Sequence, residues 1–208
     1  MKIAIIGSGN IGSNLSRCWV KSGHEVTIGS RNPASTRVKE LIGSIDGPID
    51  AKHPRDACVN VDIVVLAVPW GAIDDSLSNF GDLSGKILID VNNPVDTKKM
   101  ELIFDGHDSG AEYIARRVPN LRVVKAFNTV ASELIGSSKI KGVDVSVPIA
   151  CDNQDDLKLV TELVRETGLD PINAGPLNKS RLLEALAMLI ICFSRGDYGR
   201  NIGFKLLR

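Results

Sequence analysis

Three glycines, Gly7, Gly9 and Gly12, follow the apolar run at 3–6 in the spacing G-x-G-x-x-G. Each glycine in such a segment has its own task. Gly7 permits a tight turn, Gly9 lets backbone approach a bound group closely, and Gly12 lets the next helix pack against the strand before it. The amides opening that helix have no carbonyl partners inside it, and they carry the positive end of its dipole. Gly7, Ser8, Gly9, Asn10, Ile11 and Gly12 therefore read as a cradle for a diphosphate, with the dinucleotide-binding fingerprint as its closest pattern. A glycine pattern alone arises often by chance. This one gains its meaning from the strand before it and the helix after it.

The second informative position lies at the end of the next strand, Gly29-Ser30-Arg31-Asn32. An NAD site places a carboxylate about 20 residues past the first glycine, where it accepts from the ribose hydroxyls. Here a hydroxyl and a guanidinium stand instead, both able to donate to a 2′-phosphate, and Glu25 lies at the far end of that strand. Ser30 and Arg31 thus select NADP(H) over NAD, with Arg37 in reach to assist. Ligands of open α/β sheets bind beyond the carboxyl ends of strands. That rule adds Val68 and Pro69, then Asn93 and Pro94 of the Asn-Asn-Pro loop, and Asn128 beside Thr129. Trp70 is either a wall of the pocket or a cover for a helix end.

Conventional catalytic groups are missing. Hydride transfer between two planar rings needs stacking in a dry pocket and no nucleophile, so no catalytic side chain is assigned. His24, His53 and His107 sit in polar turns and read as surface residues. No Ser-x-x-x-Tyr-x-x-x-Lys or HExxH pattern occurs, and no metal ligands are assigned. Cys18, Cys58, Cys151 and Cys192 are scattered without paired spacing, as expected of free thiols in a reducing compartment.

The elements that must position these residues alternate. Near-continuous Val/Ile/Leu runs at 2–6, 25–29, 63–68, 86–91 and 122–127, with a weaker one at 48–51, suit a parallel sheet covered on both faces. Helices are expected over 10–22, from Asn32-Pro33 towards 42, over 54–60 and over 72–80. The fold class is α/β: a Rossmann-type, doubly wound, mostly parallel sheet in one domain over 1–208. Its core spans 1–135, with a small C-terminal strand–helix extension over 136–208. In the extension a Ser/Gly/Lys-rich loop at 136–142 precedes a strand at 143–150, a helix from about 152 to 168, a strand at 170–174 and a long final helix. That helix carries two apolar stripes. One comprises Leu182, Ala185, Leu186, Leu189 and Phe193, the other Leu183, Ala187, Ile190 and Ile191, so a second copy of the chain could cover one of them. A fully intramolecular core helix is the alternative. Arg181 and Glu184 are spaced for a local ion pair.

With 25 basic and 25 acidic side chains, the chain has no excess charge to hold a nucleic acid backbone. The four-residue apolar start is too short for a signal-peptide core, and the oily run at 182–193, broken by Glu184, is too short for a membrane span. A soluble cytoplasmic protein without nucleic acid or membrane partners is expected.

The combination of GSGNIGS, GSRNP, AVPW, the NNP loop, KAFNTV and AGPLNKSRLLEAL resembles the NADPH-dependent reductases of coenzyme F420. It is also similar to the cytosolic oxidoreductase domain of the six-transmembrane metalloreductases. The resemblance implies an NADP-dependent oxidoreductase that exchanges hydride with a deazaflavin (coenzyme F420), or with FMN or FAD as second substrate. It implies cofactor contacts by Ser8 to Gly12 and by Ser30 and Arg31 at the 2′-phosphate. Asn32-Pro33-Ala34-Ser35 departs from the more basic stretch of those reductases, leaving Ser35 or Thr36 to donate. The alternatives are an imine or β-hydroxyacid-type reductase and a non-catalytic NADPH-sensing module.

Overall fold

The computed structural model describes residues 1–137 and 139–207. Ser138, inside the loop expected over 136–142, and Arg208 lie outside the described residues. Eight strands form the main sheet: β1 (Lys2–Ile6), β2 (Glu25–Gly29), β3 (Ile49–Lys52), β4 (Ile63–Leu66), β5 (Ile87–Asp90), β6 (Arg122–Lys125), β7 (Ser146–Cys151) and β8 (Asp170–Gly175). Their spatial order is β8-β7-β6-β5-β4-β1-β2-β3. The first six run parallel. β7 is antiparallel to β6, pairing Ala150 with Lys125, and β8 runs parallel to β7. Strand order reverses at β1, where Ile3 pairs with Val26 on one side and Ile63 on the other. A crevice opens at such a reversal, beyond the carboxyl ends of the strands.

Strand alternation sends neighbouring residues to opposite faces, and the sequence fills both with apolar side chains. Ile3 and Ile5 join one core with α1 (Asn10–Lys21), α2 (Thr36–Gly43) and α6 (Gln154–Glu166). Ala4 and Ile6 join another with α3 (Pro54–Ala57), α4 (Ile73–Asn79) and α5 (Gly110–Arg117). Each fully buried isoleucine of β1 contributes about 1.5–3 kcal/mol of apolar transfer, which anchors the turn that follows. Trp19 Nε1 donates to Leu163 O at 3.0 Å, tying α1 to α6 across this layer.

Three local differences from the sequence reading have physical causes. α2 starts at Thr36, not at Pro33, because Asn32 to Ser35 close a turn in which Ser35 N donates to Asn32 O at 3.2 Å. α5 and a short hairpin (Val95–Asp96 with Glu101–Leu102) occupy a stretch the apolar pattern left blank. α5 buries only Gly110, Ala111 and Ile114, so its periodicity is faint. Its start carried a readable signal nonetheless. Ser109 accepts from Glu112 N at 3.2 Å and donates to its carboxylate at 2.7 Å, in the Ser-x-x-Glu spacing of a capping box.

The last helix, α7 (Ser180–Arg195), packs only one of its stripes. Leu183 and Ala187 are buried, whereas Leu182 is 65%, Leu189 50% and Phe193 46% exposed. Beyond α7 the chain turns back over the sheet. Ser146 N donates to Phe204 O at 2.8 Å and Leu206 N donates to Ser146 Oγ at 3.2 Å. Among the described residues no helix is long and apolar enough to cross a membrane.

Candidate active site

The crevice at the β1/β4 reversal is floored by the glycine turn. Gly7 has φ +114° and donates its N–H to Gly29 O at 3.0 Å. A Cβ at Gly7 would lie 2.2 Å from Ala67 O, and one at Gly12 2.2 Å from Gly7 O, so both positions exclude any side chain. A Cβ at Gly9 would meet nothing within 4 Å, since that face opens onto the crevice. Gly9 is also the N-cap of α1, with no capping side chain and no acidic residue in the first turn. Those amides and the bare backbone at Gly9 fit a dinucleotide diphosphate. Arg37 Nε donates to Ser8 O at 3.0 Å and braces the turn from α2.

Two cavities meet over this turn and share Gly9, Ala67, Val68 and Pro69. The first, about 880 Å³, is bordered by Gly7, Ser8, Ser30, Arg31, Arg37 and Arg55, with Asp75 as its one acidic neighbour among the described residues. The second, about 520 Å³, is bordered by Asn10, Ile11, Asn93, Asn128 and Thr129, and on its far side by Ile190 and Ile191 of α7. One half is therefore cationic. The other is lined mainly by amides, hydroxyls and aliphatic groups, with Arg200 its one charged residue among those described.

Of Gly7 to Gly12, Ser30, Arg31, Val68, Pro69, Asn93, Pro94 and Asn128, only Gly12 and Pro94 border neither cavity. Gly12 lies behind the turn as a packing residue. Pro94 opens the short hairpin, its carbonyl accepting from Ile103 N at 2.8 Å. The walls of the second cavity are cross-linked: Asn93 Nδ2 donates to Asn128 O at 2.8 Å, and Asn128 Nδ2 donates to Asn93 Oδ1 at 3.0 Å and Leu183 O at 3.1 Å. Asn128 Oδ1 and Thr129 Oγ1 are buried without a partner there.

The family model described as "NADP oxidoreductase coenzyme F420-dependent" matches residues 2–94, which contain the glycine turn, Arg31 and the Asn-Asn-Pro loop. The F420-dependent NADP reductase of Methanothermobacter thermautotrophicus is 33% identical over 99% of this chain and 94% of its own length. The chain belongs to the F420-dependent NADP reductase family. A solved structure assigned as an F420-dependent NADP-reductase, from Arthrobacter sp. FB24, superposes with a TM-score of 0.91 at 28% identity, covering 100% of both chains. The metalloreductase STEAP3 of Rattus norvegicus is 30% identical over 91% of this chain, which spans only 37% of that relative. A Streptomyces aurantiacus imine reductase, at TM-score 0.68 and 18% identity over 94% of this chain and 63% of its own, shares the fold alone.

Within this family member the sequence reading missed a buried charge cluster behind the second cavity. Lys125, at the end of β6, is 0% exposed. Its ammonium donates to Asp90 Oδ2 at 2.9 Å, Asn92 O at 2.6 Å and Glu184 Oε1 at 2.7 Å. Burial works against the charge, but the two carboxylates outweigh it and hold Lys125 above an ordinary lysine. Burial also pushes the Glu184 carboxyl up, against the pull of Lys125. The expected Arg181–Glu184 pair does not form. Glu184 turns inward to Lys125 and to Gly110 N, and Arg181 instead grips Glu112 at 2.8 and 2.6 Å.

Two further readings are settled by geometry. Trp70 borders neither cavity; it packs edge-on against Phe104 at 5.7 Å and tilted on Tyr113 at 5.9 Å, covering the start of α5 at Gly110. His24 is buried, not a surface residue. Its Nδ1 accepts from the Met1 amine at 3.2 Å, which leaves Nε2–H to donate to Glu166 at 2.8 Å.

Proposed function

We propose that this chain is an NADP-dependent oxidoreductase that exchanges hydride between NADP(H) and coenzyme F420. The observation that carries this reading is the continuous cleft over the glycine turn, cationic in one half and mostly uncharged in the other. The amides of Ser8 to Gly12 hold the diphosphate, and Ser30 and Arg31, with Arg37, hold the 2′-phosphate. Val68, Pro69, Asn93 and Asn128 border the second half, where the nicotinamide and acceptor rings stack. NADPH supplies the hydride. The protein's own work is to hold two rings at contact distance and keep water out, which needs no acid, base or nucleophile.

The exposed Leu182, Leu189 and Phe193 face of α7 supports a homodimer in which a second copy covers that stripe. The four cysteines are unpaired, as suits the cytoplasm. Mixing NADPH with F420 in the absence of oxygen tests the reading, with FMN and FAD offered separately. Reduction of F420 is expected. Turnover with FMN or FAD alone would move the chain to flavin chemistry, and tight NADPH binding without any turnover would make it a sensor.

A further inference from the structure

The Lys125 cluster has a place in the cleft as well as in the core. Its three ammonium protons reach three different segments: the end of β5 through Asp90, the loop after β5 through the Asn92 carbonyl, and α7 through Glu184. Each is continuous with a wall of the second cavity. Asn92 and Asn93 line it from the loop after β5, and Ala187, Ile190 and Ile191, one and two turns beyond Glu184, line it from α7. Glu184 also receives Gly110 N at 3.0 and 3.1 Å, which binds α7 to the start of α5. Asp90 Oδ1 accepts from Asn92 N at 3.0 Å and Asn92 Nδ2 at 2.9 Å, so the loop is pinned from both sides. Every proton on Lys125 and every oxygen of the two carboxylates has a partner.

Such a cluster is a poor means of gaining stability, because desolvating three charges costs about as much as their attraction returns. It excels at fixing geometry, since each ammonium bond is short and directional. We propose that Lys125 is a positioning residue for the second half of the cleft, setting the distance between the Asn92-Asn93 loop and α7 and hence the space for the nicotinamide and acceptor rings. It touches neither ring. This inference rests on the NADP(H) reading above, and it makes a separate claim: loss of the cluster harms ring placement without harming the phosphate half.

The test uses two ligands that divide the cleft. 2′,5′-ADP occupies only the cationic half, whereas NADPH occupies both. Glu184→Leu leaves Lys125 paired one-to-one with Asp90 and cuts both the strut to α7 and the bond from Gly110 N. The triple variant Lys125→Met, Asp90→Asn, Glu184→Gln removes every charge of the cluster. Glu184→Gln alone keeps an oxygen for Lys125 and serves as the conservative control. The expected result is a 2′,5′-ADP affinity within about twofold of the parent in every variant. The NADPH affinity, taken relative to 2′,5′-ADP, falls about tenfold or more in Glu184→Leu and in the triple variant and is restored in Glu184→Gln. KM for F420 rises with it. A folded Glu184→Leu whose NADPH to 2′,5′-ADP ratio equals the parent's would overturn the proposal, even if the triple variant fails to fold. A parent that binds NADPH but reduces no F420 refutes the acceptor assignment, while the affinity ratio still decides the role of Lys125.

Discussion

The groups assigned to phosphate in the cationic half come from two short segments, 7–9 and 30–37, with most of the rest of its lining from 53–55, 67–69 and 72–81, whereas the uncharged half gathers residues from six places between Gly9 and Ile202. The first is built from backbone: amides, a forced left-handed turn at Gly7 and an open face at Gly9. The second is built from side chains that meet only after the sheet has formed, with a fully buried Lys125 behind them. Binding a phosphate needs little more than a turn and a helix start, while placing two rings needs walls held apart at a set distance. The phosphate half can therefore stay constant while the acceptor half changes.

The largest effect expected is on stability, in the uncharged half. Lys125→Met strands two buried carboxylates and should cost about 3–5 kcal/mol in urea unfolding. Gly7→Ala comes next, in the cationic half. It puts a Cβ 2.2 Å from Ala67 O at positive φ, and should cost about 3 kcal/mol as well as NADPH binding. Gly9→Val sharpens the contrast: its side chain points into open space, so stability should stay within about 1 kcal/mol while NADPH binding, followed by titration, is lost. Arg31→Ala should weaken NADPH about tenfold and leave NADH nearly unchanged. Equal weakening of both would remove the 2′-phosphate from this site.

The smallest effect is a pH step at the C-terminal segment. Arg200, which borders the uncharged half, binds Glu133 at 2.6 and 3.0 Å and lowers that carboxyl from 4.5 to about 2. A lowered folded value means the pair stabilises above 4.5 and its contribution disappears as pH falls from 4.5 towards 2. Amide exchange over 200–206, corrected for intrinsic rates, should accelerate across that window. In Arg200→Ala the pH step should be absent.

How much could be read from the chain follows the same division. β1, the glycine turn and α1 are contiguous, so periodicity and spacing reveal them together. The end of β2 lies where the fold rule places it, and Ser30 and Arg31 border the cavity. The partners of Lys125 lie 35 and 59 residues away, and the lone lysine inside the apolar run at 122–127 does not say which residues they are. Glu184 looked like a break in an oily helix and a neighbour for Arg181. A charged residue in the middle of an apolar stripe, like Lys125 in its apolar run, was a hint that a buried partner awaits it. Arg55 enters the cleft from the single turn of α3 and Arg200 from a tail without regular structure, both too short or irregular for a period to point to the cleft.

The central claim is direct hydride transfer within this cleft, and isotope transfer tests it most directly. The protein is mixed, without oxygen, with NADPH deuterated at C4 on one face and with F420, and the reduced deazaflavin is examined by mass spectrometry. The account predicts that one face of the nicotinamide delivers its deuterium to F420 and that the other face retains it. F420 reduced without deuterium from either face, or not reduced while NADPH stays bound, would contradict it.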